Sequence, residues 1–225
     1  MNLPQISNTA LFEQAFTHRS YLNESKTILE SNERLEFLGD SILSFVVSQY
    51  LYVTYPEYNE GILTNLRSLL VNTKSLAQAA KTLDFGKYLK LSKGEEDSKG
   101  RENETLLANC FESFIGALFI DQGIKAVEDF IGTTLLPQAQ DFVDRKAFKD
   151  PKSLLQEHVQ ARKQNSPVYK VLHEEGPPHA KTFTIGAYVG DVLVGQGVGK
   201  SKQEAEESAA KEALDGLEKG TAANS

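Results

Sequence analysis

The spacing of apolar residues changes once along this chain, and the change falls in RKAFKDP, residues 145–151. Before it the repeat is helical; after Pro151 it alternates as in strands. A helix buries positions three and four apart and a strand buries every second one, so the two parts need separate cores. In the first part Leu35, Leu38, Ile42, Phe45 and Val46 mark the buried face of one helix. Leu63, Leu66, Leu69 and Leu70 mark a second, and Leu76, Ala77, Ala79 and Ala80 a third. The run from Leu106 to Ile120 is a fourth. Val127, Phe130, Ile131, Leu135 and Leu136 predict a fifth, ending at Pro137. Strand-like alternation is almost missing here, so an all-α part is expected. The polar stretch SKGEEDSKGRENE (92–104) reads as an exposed loop.

After Pro151 a short helix, Lys152 to Lys163, precedes PVYKVLHEE and then KTFTIGAYV, in which Phe183, Ile185, Ala187 and Val189 alternate. Gly190-Asp191 marks a turn into VLVGQGVG. Ser201 and Glu204 form an S-x-x-E capping box opening a last helix through Ala205, Ala209, Ala213, Leu214 and Leu217. The fold class expected is α+β and multidomain. It comprises an all-α domain over 1–146, a linker over 147–151, an α-β-β-β-α domain over 152–219 and a disordered tail over 220–225.

Composition narrows the chemistry. The single cysteine, Cys110, excludes an intramolecular disulfide and a Cys-rich metal site, and it suits a reducing cytoplasm. No secretory signal is visible. The longest nearly apolar run, Thr105 to Ile120, carries Asn109 and Glu112 and falls short of a membrane span. A formal charge of −7 argues against nonspecific polyanion binding, though not against local basic patches.

The stretch NERLEFLGDS (32–41) places three carboxylates on one helix. With Glu36 at zero, Asp40 falls at about 40° and Glu33 at about 60°, within one sector. Acidic residues opposite an apolar stripe are commonly just solvated, and periodicity alone leaves that reading open. Two details favour a site. Like charges three and four apart destabilise a helix unless a cation sits between them, and Phe37 and Leu43 flank the sector. Asn109 and Glu112 sit three apart inside the run LLANCFESFIGALFID (106–121), where an ionised Glu costs several kcal/mol unless it is paired. Oxygen donors from two helices suit Mg²⁺, or Mn²⁺ as a substitute.

NERLEFLGDS, AFTHRSY (15–21), the NEG of 59–61 and FESFIGALFID (111–121) together resemble the catalytic domain of the ribonuclease III family. The second segment resembles that family's double-stranded RNA-binding domain, so the likeness spans nearly the whole chain. It implies a dimerising all-α domain in which each of two sites cuts one strand of an RNA duplex. Glu36, Asp40, Asn109 and Glu112 would then be metal ligands, with Asp40 and Glu112 central to catalysis. Glu33 and Glu60 would handle substrate, and Phe37 would insert into the partner subunit at a homodimer interface. His18 is expected to be structural. No membrane partner and no cofactor beyond the metal are implied.

An RNA duplex presents shape, phosphates and 2′-hydroxyls, so its binder needs spaced polar and basic groups. Ser153, Gln156, Glu157 and Gln160 share one side of the short helix and suit minor-groove hydroxyls. His179, in GPPHAK (176–181), matches the family's second minor-groove contact. Lys200 and Lys202 stand at a helix N-terminus, where ammonium groups and the helix dipole both favour phosphate. Residues 150–219 nevertheless hold nine basic against eleven acidic residues, so binding must rest on placement.

The function expected is endonucleolytic hydrolysis of double-stranded RNA, leaving 5′-phosphates and short 3′ overhangs, in ribosomal RNA maturation and messenger turnover. One position departs from the family, whose pattern has Asp where this chain has Asn109. An amide oxygen still coordinates a cation, but without the charge. An active natural variant, an engineered substrate trap and a noncatalytic duplex binder stay open as readings; retention of Glu36, Asp40 and Glu112 favours the first.

Overall fold

The computed structural model describes residues 3–25, 30–177 and 180–222. The chain divides into two compact units, 1–148 and 149–225. The first is helical: α1 (Thr9–Ala15), α2 (Glu33–Thr54), α3 (Glu60–Val71), α4 (Thr73–Thr82), α5 (Lys93–Asp97), α6 (Glu104–Gln122), α7 (Ile124–Thr134) and α8 (Pro137–Asp144). Short 3₁₀ turns occupy Arg19–Asn23, Phe85–Lys87 and Gly100–Glu102.

Asparagines start four of these helices. Asn8, Asn59, Asn72 and Asn103 each accept a backbone N–H of the first turn, at 3.0 Å for Asn59 and 2.9 Å for Asn72. The core gathers around α6, which is covered on nearly every side by α2, α4, α1 and α7. Phe16, Phe85, Phe111 and Phe114 fill its centre. A helix so covered leaves little room for a carboxylate, and that gives Glu112 its significance.

Four details differ from the sequence expectation. Residues 92–104 are not an open loop: they form α5 and a 3₁₀ turn, and Arg101 donates to Gly86 O (2.8 Å) and Leu89 O (2.7 Å). Pro137 does not end the fifth helix. That helix stops at Thr134, and Pro137 opens α8, where its missing N–H has no intrahelical role. Phe45 is not core but 58 % exposed. The buried arc of α2 is centred on Gly39, Leu43, Val46 and Val47, and the opposite side carries Phe37, Phe45 and Tyr52 into solvent. Finally, the last helix runs to Ala222, into the expected tail, while residues 223–225 lie outside the described residues.

In the second unit α9 (Pro151–Ala161) precedes β1 (Val168–Glu175), β2 (Thr182–Val189), β3 (Val192–Gly199) and α10 (Lys202–Ala222). The strands form an antiparallel meander in the order β1-β2-β3, turning between β2 and β3 at Gly190, φ +60°. Both helices cover one face of the sheet. Leu155 and Val159 of α9 pack with Ala187 and with Ala209, Ala210 and Ala213 of α10. Small residues let α10 lie directly on β3: a Cβ on Gly197 would stand 2.2 Å from the Ala209 nitrogen.

Candidate active site

The site sits where α2 crosses α6, and two glycines make the crossing close. A Cβ added to Gly39 would lie 1.8 Å from the Glu112 carbonyl oxygen, and one added to Gly116 would lie 2.3 Å from that of Leu35. Backbone therefore meets backbone, and Glu36 and Asp40 come alongside Asn109 and Glu112 at the edge of the buried arc. Asp40 is exposed, whereas Glu36, Asn109 and Glu112 are half-buried.

Electrostatics show how strained that company is. Burial pushes the Glu112 carboxyl up to about 7, with repulsion from Asp40 and Glu36 adding to it. Burial also raises Glu36, reinforced by Glu33 and Asp40, and a side-chain hydrogen bond from Asn109 offsets part of the rise. Among the described residues no basic side chain pairs with Glu36, Asp40 or Glu112.

Three carboxylates and an amide oxygen, held together without a counter-charge, are a hard-oxygen donor set that fits a divalent cation. They do not close into a cage: among the described residues no group of three or more His, Cys, Asp or Glu is gathered tightly enough to hold an ion.

The frame around the site is tied down. Ser113, buried one residue after Glu112, donates to Ala15 O at 2.6 Å. At the far end of α6, Asp121 accepts from the backbone of Ser7 (2.8 Å) and Asn8 (3.1 Å). His18 has a structural place: its Nδ1 accepts from Ser20 N, and Ser20 Oγ accepts from Ser92 N at 3.0 Å. Asp121 and the Gly39–Gly116 contact were missed from sequence, although both glycines lie within the quoted motifs.

The other expected residues fall in separate places. Glu33 opens α2, bound by Ser31 Oγ (2.9 Å) and facing Arg19 (3.5 Å). Glu60 opens α3 and accepts from Thr64 (3.0 Å), on a groove lined by Phe45, Tyr52 and Tyr55 near the other end of α2. One chain thus does not bring Glu33 and Glu60 together. Phe37 is 79 % exposed.

In the second unit Ser153, Gln156, Glu157 and Gln160 are all exposed on α9, with Glu157 paired to Lys149 at 2.7 Å. Lys200 is exposed, and its backbone N–H donates to Glu204, while Glu204 N donates to Ser201 Oγ. The capping box is thus shifted by one residue on its return bond. Lys202 stands 3.6 Å from Glu174. His179 lies outside the described residues. Among the described residues no helix is long and apolar enough to cross a membrane.

Comparison with known proteins agrees with this division. Residues 8–139 match the Ribonuclease-III-like family model, and residues 151–217 match the double-stranded RNA binding motif. The chain is 45 % identical to Ribonuclease 3 of Latilactobacillus sakei over 216 residues, covering 95 % of this chain and 93 % of that one. It is 44 % identical to Ribonuclease 3 of a Streptococcus pyogenes strain over 211 residues, 93 % of this chain and 91 % of that one.

Among solved structures it is similar to the nuclease domain of ribonuclease III from Campylobacter jejuni, which has a flexible region involved in dimer formation. The TM-score is 0.55 at 34 % identity, over 59 % of this chain and 90 % of that one. Dicer from Pichia stipitis aligns over 96 % of this chain and 97 % of its own, with a TM-score of 0.50 at 29 % identity. A helical unit built on a carboxylate-bearing α2–α6 crossing, followed by an α-β-β-β-α unit, thus belongs to the ribonuclease III family.

Proposed function

We propose that this ribonuclease III is a homodimer that hydrolyses double-stranded RNA with Mg²⁺, Mn²⁺ being a substitute. Its products carry 5′-phosphates and short 3′ overhangs, and its roles are ribosomal RNA maturation and messenger turnover in the cytoplasm. The observation that carries the reading is Glu112, half-buried beside Glu36 and Asp40 with no basic partner among the described residues. Glu36, Asp40, Asn109 and Glu112 would hold the ion. When bound it lowers the pKa of a coordinated water and polarises the scissile phosphate. The residues' own contribution is to fix hard oxygens in place. Glu112 is carried on a helix whose backbone packs directly against that of α2, and Asn109 holds Glu36 by a hydrogen bond while adding no charge.

Two features support the dimer. Phe37, Phe45 and Tyr52 form an exposed apolar face along α2, beside a groove of about 860 Å³ that includes Tyr55, Leu63 and Arg67. Glu33 and Glu60, apart in one chain, would meet across a two-fold axis. The exposed polar side of α9 and the lysines at the start of α10 would take the duplex.

Asn109 favours a second reading, a duplex binder or substrate trap that does not cut. Incubating a labelled RNA duplex with Mg²⁺ and the unaltered protein, Asn109→Asp or Glu112→Ala separates the two. Cutting by the unaltered protein, lost in Glu112→Ala, is expected. Activity in Asn109→Asp alone would make the chain a binder on a nuclease scaffold.

A further inference from the structure

Glu174 lies on β1. Its carboxylate is shared by two lysines from different elements. Lys181, just before β2, donates to Oε2 at 3.0 Å, and Lys202, in the first turn of α10, stands 3.6 Å from Oε1. Phe183, directly opposite Glu174 in the β1–β2 register, lies under both ammonium groups, 6.0 Å from Lys181 and 5.6 Å from Lys202. The three charged side chains are roughly half exposed, so the cluster faces water and whatever binds there. A hydrogen bond from Lys181 and the charges of both lysines hold Glu174 below the usual carboxylate range, so it stays ionised under ordinary binding conditions.

We propose that Glu174 is a built-in phosphate surrogate that occupies Lys181 and Lys202 until an RNA phosphate displaces it, and so sets the affinity and salt dependence of duplex binding. This rests on the reading of the second unit as a duplex-RNA binder. The physical case is a competition. A lysine already paired with a carboxylate neutralises a phosphate less fully and so releases fewer of the cations condensed on the RNA, and the carboxylate repels the phosphate that would replace it. Each lysine must leave Glu174 before it contributes fully. A domain with more acidic than basic residues thereby keeps its cations from binding any polyanion, and spends them only where shape brings several phosphates into register at once.

The test is binding of the full chain to a labelled RNA duplex of about twenty base pairs, longer than the span of one such domain, in EDTA and across a salt series. Unaltered protein, Glu174→Gln, Lys181→Ala with Lys202→Ala, and the triple variant form a cycle. Glu174→Gln is expected to bind about two- to fivefold tighter at low salt, the range of an exposed ion pair. Its plot of log K against log salt should steepen by about one, and its gain should vanish in the triple variant. Unchanged or weaker binding by Glu174→Gln, while the unaltered protein binds, overturns the proposal and leaves the RNA reading standing. A gain that persists without the lysines overturns it as well, because the carboxylate then acts as a general charge. No duplex binding by any variant overturns both readings together.

Discussion

At the scale of single residues, Glu112 is where burial and chemistry pull apart. Its carboxyl is raised from 4.5 to about 7, so the folded state holds a proton that the unfolded chain has released. The stability linked to that proton is fully present below about pH 4.5 and is lost as pH rises through about 7. Thermal melts of metal-free protein should therefore show a midpoint that falls between about pH 4.5 and about pH 7. Glu112→Gln should flatten that fall, and an unchanged slope would show that Glu112 is not its source. Asn109→Asp adds a charge to the donor set, so calorimetric titration with Mg²⁺ should read a several-fold tighter site. The pairing of Asn109 with Glu112 was legible, because three residues apart on a helix is a local fact. Glu174 was not, because its partners come from a cross-strand register and a distant helix start.

At the scale of elements, the α2–α6 crossing is the most demanding packing in the molecule. Gly39→Ala forces a methyl into the Glu112 carbonyl, and urea unfolding should report a loss of roughly 2–4 kcal/mol together with impaired cleavage. Gly132→Ala is the matched control. It lies in α7 with nothing within 4 Å of the added carbon, and it should gain about 0.5–1 kcal/mol by restricting the unfolded chain. A loss at Gly132 comparable to that at Gly39 would discount the crossing. Helix positions were readable because their period and their asparagine caps are written locally. The segment 92–104 was misread because its order comes from Arg101 reaching carbonyls twelve and fifteen residues back. Phe45 was misread because a helical wheel counts apolar residues without knowing which neighbour covers them.

At the scale of the whole molecule, the change of apolar period foretold two units, since each repeat needs its own core. The second unit contains its own sheet and helix layer, so residues 149–225 alone should fold and bind an RNA duplex without cutting it. Gel shift and a cleavage assay on that fragment check both halves of the statement, and failure to bind would move duplex recognition to the helical unit. What the sequence hid is how the site obtains its dimensions. Because Gly39 and Gly116 let peptide planes touch, the distance between the two acidic helices is set like a gauge block and not like a cushion. Substitutions elsewhere in the core then change how firmly the molecule holds together while leaving that gap alone.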